Sequence, residues 1–457
     1  MLLRLLARAA ADRADRVVVR SAAPAGGWVD TTWAQFHADV RAAAGAAVRT
    51  ATRSSGDGPI VVVVDGTAPS IATAAGVLAA GVDALLLEAQ SSALDDPASP
   101  VPASRPRAVV TDHGSFRDPR PFDERAPGET LQLTSGSTGE PRIVRQPLSN
   151  VLTGGRLYRR LFAVTEEDTV LVAVPVAHSY GLAGLCAALM SGATLVTLPR
   201  FGLRPLVDGL RDGATVLLGT PLLYQLLTPV LAAGGEPSGL RIALSAGGPL
   251  PPDTGPMTAA LGTPIRPIYG ITEAGLIACV PASVETWPAG SVGFPAPGVE
   301  LRPDGDGRLA VRAPMMFAGY HGGEDRRPDG FYDTGDHVRL DADGHLFVLG
   351  RKEGVVNVGG RKVSAGRIEQ VLRRHPGVRD AFVFGVERPD HEQEMHAAVV
   401  LAGGTGVEDV LRFCRAQALQ PYEVPHRVHA LDRLPRTGMG KVDRHRIERQ
   451  VREVAGR

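Results

Sequence analysis

Short apolar runs alternate with amphipathic stretches along the first three quarters of the chain. Ile60-Val61-Val62-Val63-Val64 is apolar at every position, the pattern of a strand covered on both faces. The stretch from Pro69 to Ala80 that follows it has helical spacing, and runs at Thr169–Val174, Thr194–Leu198, Thr215–Leu218 and Arg241–Ser245 repeat the unit. Such βα alternation predicts an α/β fold with largely parallel sheets. After about residue 290 the runs shorten, and Asp-Gly pairs at Asp304, Asp306, Asp329 and Asp343 predict tight turns in a small β subdomain. From Gly350 onward, strand-like Val355–Val358, a helix from Ser364 to Arg374, strands at Ala381–Val386 and Ala397–Leu401 and a helix from Val407 predict a separate α+β domain. The expected division is therefore 1–349, a junction at 350–354, and 355–457, with no repeat of 20–50 residues.

Composition narrows the classes. A length of 457 residues leaves room for two or three domains of ~100–200 residues each. Lys+Arg and Asp+Glu both number 49, so no net field draws the protein to nucleic acid or to an anionic membrane. Its expected partners are small molecules or a small protein. Cys186, Cys279 and Cys414 are far apart and form no CxxC pair, which fits a reducing, cytoplasmic setting. Arginines interrupt the apolar start, Met1 to Arg8, and Asp83 with two glycines interrupts Ile71 to Leu87. Neither reads as a signal sequence or a membrane span, and the first is expected to be a helix of the fold. Only Lys352, Lys362 and Lys441 are lysines among the 49 basic residues, so each is a candidate for chemistry that a guanidinium does poorly.

The strongest local signal is Thr134-Ser135-Gly136-Ser137-Thr138-Gly139-Glu140-Pro141-Arg142. Its glycines allow backbone N–H groups to converge, its hydroxyls add donors and Arg142 adds charge, a set suited to a polyphosphate. It is not a Walker loop, because Gly139 is followed by Glu140-Pro141-Arg142 rather than by Lys-Ser/Thr. Taken alone, it could also be a flexible Ser/Gly linker.

This loop resembles the Thr-Ser-Gly-Ser/Thr-Thr-Gly-x-Pro-Lys phosphate loop of the adenylate-forming superfamily, which includes acyl- and aryl-CoA synthetases, peptide-synthetase adenylation domains and luciferase. Arg142 stands where that family has lysine. Further motifs follow in the family's order over about residues 130–445. Ser245-Ala246-Gly247-Gly248-Pro249-Leu250 resembles the segment that lies against adenine. Tyr269-Gly270-Ile271-Thr272-Glu273 resembles the element whose threonine meets the α-phosphate and whose glutamate holds Mg²⁺, although a Thr-Glu pair alone is more often a helix start. Tyr332-Asp333-Thr334-Gly335-Asp336 resembles the ribose-binding element, with Asp336 on the hydroxyls. Arg351 takes the place of a nucleotide-binding arginine, and Glu353 the place of the hinge residue. Leu434 to Arg444 resembles the loop whose lysine, here Lys441, bridges the substrate carboxylate and the α-phosphate.

The resemblance implies two half-reactions: a carboxylate attacks MgATP to give an acyl-AMP and pyrophosphate, and the acyl group then passes to a pantetheine thiol of CoA or of an acyl carrier protein. It implies a mobile C-terminal domain that turns about Glu353 between the two steps. Pro175 to Gly181 resembles part of the acyl pocket, with His178 at a gating position. As a lone histidine it could equally be a hydrogen-bonded structural group. Ser179 stands where relatives acting on amino acids carry an aspartate, which disfavours an α-amino acid. Leu182, Leu217, Leu218, Ala246 and Ile277, with Gly247 and Gly270, suggest an apolar wall for an aliphatic or aromatic acid. Transfer to an amine or other non-thiol nucleophile is an alternative, and so is a non-catalytic scaffolding relative. A monomer or a homodimer is expected.

Overall fold

The computed structural model describes residues 2–455 apart from 55, 90, 92, 95–98, 119, 121–125, 136–140, 235–238, 252, 324–329, 352–354, 359–360, 388–392, 418 and 437–441. The chain divides into two compact units, the first made of 1–301, 311–332 and 342–346, the second of 302–310, 333–341 and 347–457.

The first unit is built on two sheets. One has nine strands, in the order Phe294–Pro295, Gly275–Cys279, Ile265–Ile271, Ile242–Ser245, Val216–Gly219, Thr169–Val172, Thr194–Thr197, Val17–Ala22 and Trp28–Thr32. From Val17–Ala22 to Ile265–Ile271 all neighbours are parallel. The predicted βα repeats form this parallel centre, and the strands Val216–Gly219 and Ile242–Ser245 are buried at every position. The other sheet runs Gly319–Tyr320, Pro141–Pro147, Glu129–Ser135, Ala84–Glu88, Ile60–Val64 and Ala108–Val110.

Helix starts follow local chemistry. Thr32 and Gln35 form a capping box ahead of Trp33–Arg53, and the Thr67 hydroxyl caps Ala68–Ala79, where Pro69 sits in the first turn. These two helices pack closely because Gly76 presents no side chain; a Cβ there would stand 2.6 Å from that of Ala43. The N-terminal stretch, expected to be a helix of the fold, is the helix Leu2–Asp12. No described helix is long and apolar enough to cross a membrane.

In the second unit, Val378–Glu387, Gln393–Leu401 and Arg427–Ala430 form a three-stranded sheet. Alternate residues serve opposite faces. Ala381, Val383, Met395, Ala397 and Val399 share a core with Ile368 and Leu372 of Ala365–Arg373 and with Val410 and Cys414 of Val407–Ala416. Phe384 and Ala398 pack instead with Ile447 and Val451 of the helix Arg444–Ala455.

Two histidines meet between the central strand Gln393–Leu401 and the edge strand Arg427–Ala430. His429 Nε2 and His396 Nδ1 are 3.1 Å apart, and His396 Nε2 lies 3.3 Å from Glu394 Oε2. Burial lowers both histidine pKa values, with Arg427 opposing protonation of each and His426 that of His396, while Glu394 favours it at His396. Folded-state values below the unfolded ~6.5 mean that the unfolded chain binds protons first. This contribution is complete above about pH 6.5 and is lost as the pH falls through the folded values. The second unit should therefore unfold at a lower temperature at about pH 5 than at about pH 7, and His429→Phe should shrink that difference. Thermal unfolding monitored at both pH values checks this; an unchanged pH dependence in the variant would contradict it.

Candidate active site

The glycine- and hydroxyl-rich loop joins two antiparallel strands. Thr134 pairs with Arg142 and Ser135 with Pro141, so the segment between them closes a β-hairpin. Gly136, Ser137, Thr138 and Gly139 lie outside the described residues, as does the side chain of Ser135. Arg142, at the far side of the hairpin, has its guanidinium carbon 5.0 Å from the ring centre of Tyr320. Tyr320 is brought there by the strand Gly319–Tyr320, which pairs with Val144 and Arg145 of the same hairpin.

The Tyr320 hydroxyl donates to Glu273 Oε1 at 3.0 Å and lies 2.9 Å from the hydroxyl of Tyr332. Phe317 stacks edge-on against both rings. Burial raises both phenol pKa values and the Glu273 charge adds to the effect, so both stay protonated at neutral pH and serve as donors. Glu273 is 8% exposed, and among the described residues only Tyr320 engages its carboxylate. A carboxylate with one oxygen fixed and the other open, close to an arginine, fits a hard divalent cation that shares its shell with phosphate oxygens.

Glu273 belongs to a hairpin turn between Ile265–Ile271 and Gly275–Cys279, not to a helix start. Gly275 makes the turn possible at φ +69°, and a Cβ at Gly270 would come 2.3 Å from the Gly275 carbonyl. The turn is pinned from both sides. Gln146 Nε2 donates to the Thr272 carbonyl at 2.7 Å, and the Phe317 amide donates to the Glu273 carbonyl at 2.8 Å.

Other predicted residues sit at carboxyl ends of parallel strands, where open α/β sheets bind ligands. Ala246, Gly247 and Gly248 leave the strand Ile242–Ser245, whose Leu244 carbonyl accepts from Tyr224 at 2.7 Å and Tyr180 at 3.0 Å. Tyr269 ends half-buried and Gly270 exposed. His178 precedes the helix Ser179–Ser191 and is paired through Nε2 with Glu88, the last residue of the strand Ala84–Glu88. Ser179 and Leu182 are half-buried, whereas Leu217, Leu218 and Ile277 are buried in strand interiors and Ala246 is 7% exposed. Of the residues expected to border the acid, His178, Ser179, Leu182, Gly247 and Gly270 are the ones that are not buried.

The family model for AMP-binding enzymes matches residues 126–321, and that for the C-terminal domain of AMP-binding enzymes matches 367–441. The chain is 30% identical over 334 residues to the 2-succinylbenzoate–CoA ligase of Bacillus licheniformis, across 70% of this chain and 69% of that protein. It is 30% identical over 352 residues to the oxalate–CoA ligase of Arabidopsis thaliana, across 71% of this chain and 68% of that one. The chain belongs to the adenylate-forming AMP-binding enzymes. It is an AMP-forming acid–thiol ligase, which activates a carboxylic acid with ATP. ATP-bound MatB from Rhodopseudomonas palustris has the same fold, with a TM-score of 0.81 at 25% identity over 99% of this chain and 100% of that one.

In the second unit of the ligase, Asp336 is 3% exposed, and its amide donates to the Thr334 hydroxyl at 3.1 Å. Both lie in the strand Tyr332–Leu340, in which Gly335 between them adopts φ +74°. Arg351 ends the strand Leu346–Arg351, its side chain outside the described residues, and Glu353 and Lys441 are outside them too. The ends of the Lys441 loop are nevertheless defined. Arg436 and Val442 form an antiparallel bridge, and the Asp443 amide donates to the Pro435 carbonyl at 2.8 Å. Arg436 is ion-paired with Asp380, which also lies 3.5 Å from Arg373. Asp380 thus clamps the base of the loop to the sheet. Asp380→Ala should slow acid-dependent pyrophosphate exchange by roughly tenfold, since sub-ångström misplacement of a catalytic group is costly, without altering thioester formation from supplied acyl-AMP. An equal fall in both half-reactions would contradict the clamp.

Tyr320, Gln146, Phe317 and Glu88 are site residues that sequence reasoning did not select. Only Glu88 carried a signal, a carboxylate ending the otherwise buried apolar strand Ala84–Glu88.

Proposed function

We propose that this ligase binds MgATP at the Thr134–Arg142 hairpin and the Thr272-Glu273 turn, and that its acyl acceptor is the thiol of CoA. The observation that carries the residue roles is the contact set of Glu273, Tyr320 and Arg142, which places one open carboxylate oxygen and one cation at the end of the phosphate-type hairpin. Mg²⁺, when bound to Glu273, neutralises charge on the phosphates. Tyr320 holds the carboxylate in place, Arg142 takes the role of the family's lysine toward the outer phosphates, and Thr272 donates toward the α-phosphate. Gly247, Gly248, Tyr269 and Gly270 border adenine, Asp336 and Arg351 hold the ribose side, and Lys441 stabilises the charge that builds during acyl transfer to phosphorus. His178 and Ser179 border the acid. Domains 1–349 and 355–457, with Glu353 as their hinge, complete this reading.

The relatives' designations as CoA ligases support CoA over a carrier protein. A cytoplasmic location fits three cysteines that are all free and buried. The direct test supplies ATP, Mg²⁺, CoA and a panel of acids and follows AMP, pyrophosphate and thioester. Equal yields of AMP and acyl-CoA are expected. Formation of AMP with no thioester, together with amide formation from an added amine, would replace CoA by a nitrogen acceptor; thioester formed only on a phosphopantetheinyl carrier would replace it by that protein.

A further inference from the structure

Between the six-stranded sheet and the helix Leu2–Asp12 the first unit holds a half-open cavity of about 330 Å³ with a mainly apolar lining. Its floor is one face of the six-stranded sheet. Val64, Leu86 and Thr130 line it, and the register pairs Val64 with Glu88 and Thr130 with Ala84, so that all five project from the same side. Glu88 follows Leu86 on that face, at the carboxyl end of the strand, and there it holds His178. The opposite wall makes the same connection, because Val176 and Leu182 line the cavity and bracket His178 and Ser179 in the chain. The cavity lining and the His178–Glu88 pair are therefore neighbours along both the strand and the chain, with Glu88 two residues beyond Leu86 and His178 two residues beyond Val176. On the far side the helix Leu2–Asp12 contributes Leu2, Leu5 and Leu6.

The walls also contain polar groups left without partners. Thr130 is 0% and Trp33 1% exposed, both border the cavity, and neither Thr130 Oγ1 nor Trp33 Nε1 has a hydrogen-bond partner among the described residues. Buried polar groups normally find partners, and an occupant carrying an oxygen along its chain would supply one. Branched aliphatic side chains dominate the rest of the lining, which suits a flexible hydrocarbon chain more than a flat ring.

We propose that this cavity receives the tail of the carboxylic acid, entering beside the His178–Glu88 pair, so that the substrate is an extended aliphatic acid rather than a short or compact aromatic one. The inference rests on the acid-activating reading above and names the substrate class for that site. The tail gains affinity by leaving water, and each added methylene should contribute until the cavity is full.

The test measures acid-dependent pyrophosphate exchange with butanoate, hexanoate, octanoate, decanoate, hydroxydecanoate and benzoate, alongside direct calorimetric binding of decanoate. Two variants reduce the cavity: Ala74→Trp from the helix Ala68–Ala79 and Ala9→Phe from the surface helix Leu2–Asp12, the second at little risk to folding. In the wild type kcat/KM is expected to rise with chain length, and each variant to lose roughly tenfold or more on decanoate while butanoate is unchanged. A wild type that prefers butanoate or benzoate, or folded variants that keep their decanoate activity, would overturn the inference while leaving adenylation standing. Exchange with no acid would count against the adenylation reading instead, and decanoate binding, lost or retained in the variants, would then decide the cavity.

Discussion

Replacing Lys441 with alanine should cut acid-dependent exchange of pyrophosphate into ATP by roughly 10²-fold or more, as expected for loss of a preorganised charge aimed at the transition state. Thioester formation from a supplied acyl adenylate should continue near the wild-type rate, because in that step the thiol attacks the acyl carbon rather than phosphorus. Lys441→Arg should rescue little. An ammonium concentrates its charge and rotates three donors toward closely spaced oxyanions, whereas a guanidinium spreads charge over a planar fork. The background sharpens this comparison: arginine fills nearly every other basic position of the chain, yet lysine is kept at 441. The bridge between Arg436 and Val442 and the pairing of Arg436 with Asp380 fix the residues that flank 437–441. Equal losses in both half-reactions would indicate a structural role for Lys441.

The second large effect is expected at Glu273. Glu273→Gln preserves size and can still accept from the Tyr320 hydroxyl, but it removes the negative charge of the proposed cation ligand. Adenylation should fall by roughly 10²-fold, with the Mg²⁺ concentration needed for half-maximal rate rising at the same time. Tyr320→Phe should act more mildly, by roughly tenfold or less, because it frees a carboxylate oxygen without discharging it. Titrating Mg²⁺ at saturating ATP separates the two variants. If Glu273→Gln left the Mg²⁺ dependence unchanged, the cation would have to be held elsewhere.

The elements proposed to bind the nucleotide were legible because each is contiguous. Thr134 to Arg142 combines glycines, hydroxyls and a cation in nine positions, and the parallel strands around it announce themselves as unbroken apolar runs such as Ile60–Val64. Thr272-Glu273 was harder, since a Thr-Glu pair suits a helix start equally well. Gly275 in the left-handed region turns the chain back into a hairpin there. Tyr320 was invisible for a different reason. Its place beside Glu273 and Arg142 comes from pairing a two-residue strand with a hairpin more than 170 residues earlier, and short strands with few apolar positions leave no periodic trace. The N-terminal region carried no motif, yet Glu88 meets His178, and Leu2 to Asp12 and Trp33 wall the cavity. These are consequences of topology: each residue looks ordinary in its own segment and acquires a role only when the sheet assembles.

The central claim, that the Glu273 turn and the Lys441 loop serve adenylation of a carboxylic acid, is tested most directly by exchange of labelled pyrophosphate into ATP with and without acid. Acid-dependent exchange in the wild type, absent without Mg²⁺ and nearly abolished in Lys441→Ala, is the predicted result. ATP binding of ordinary strength with no exchange for any acid would contradict it.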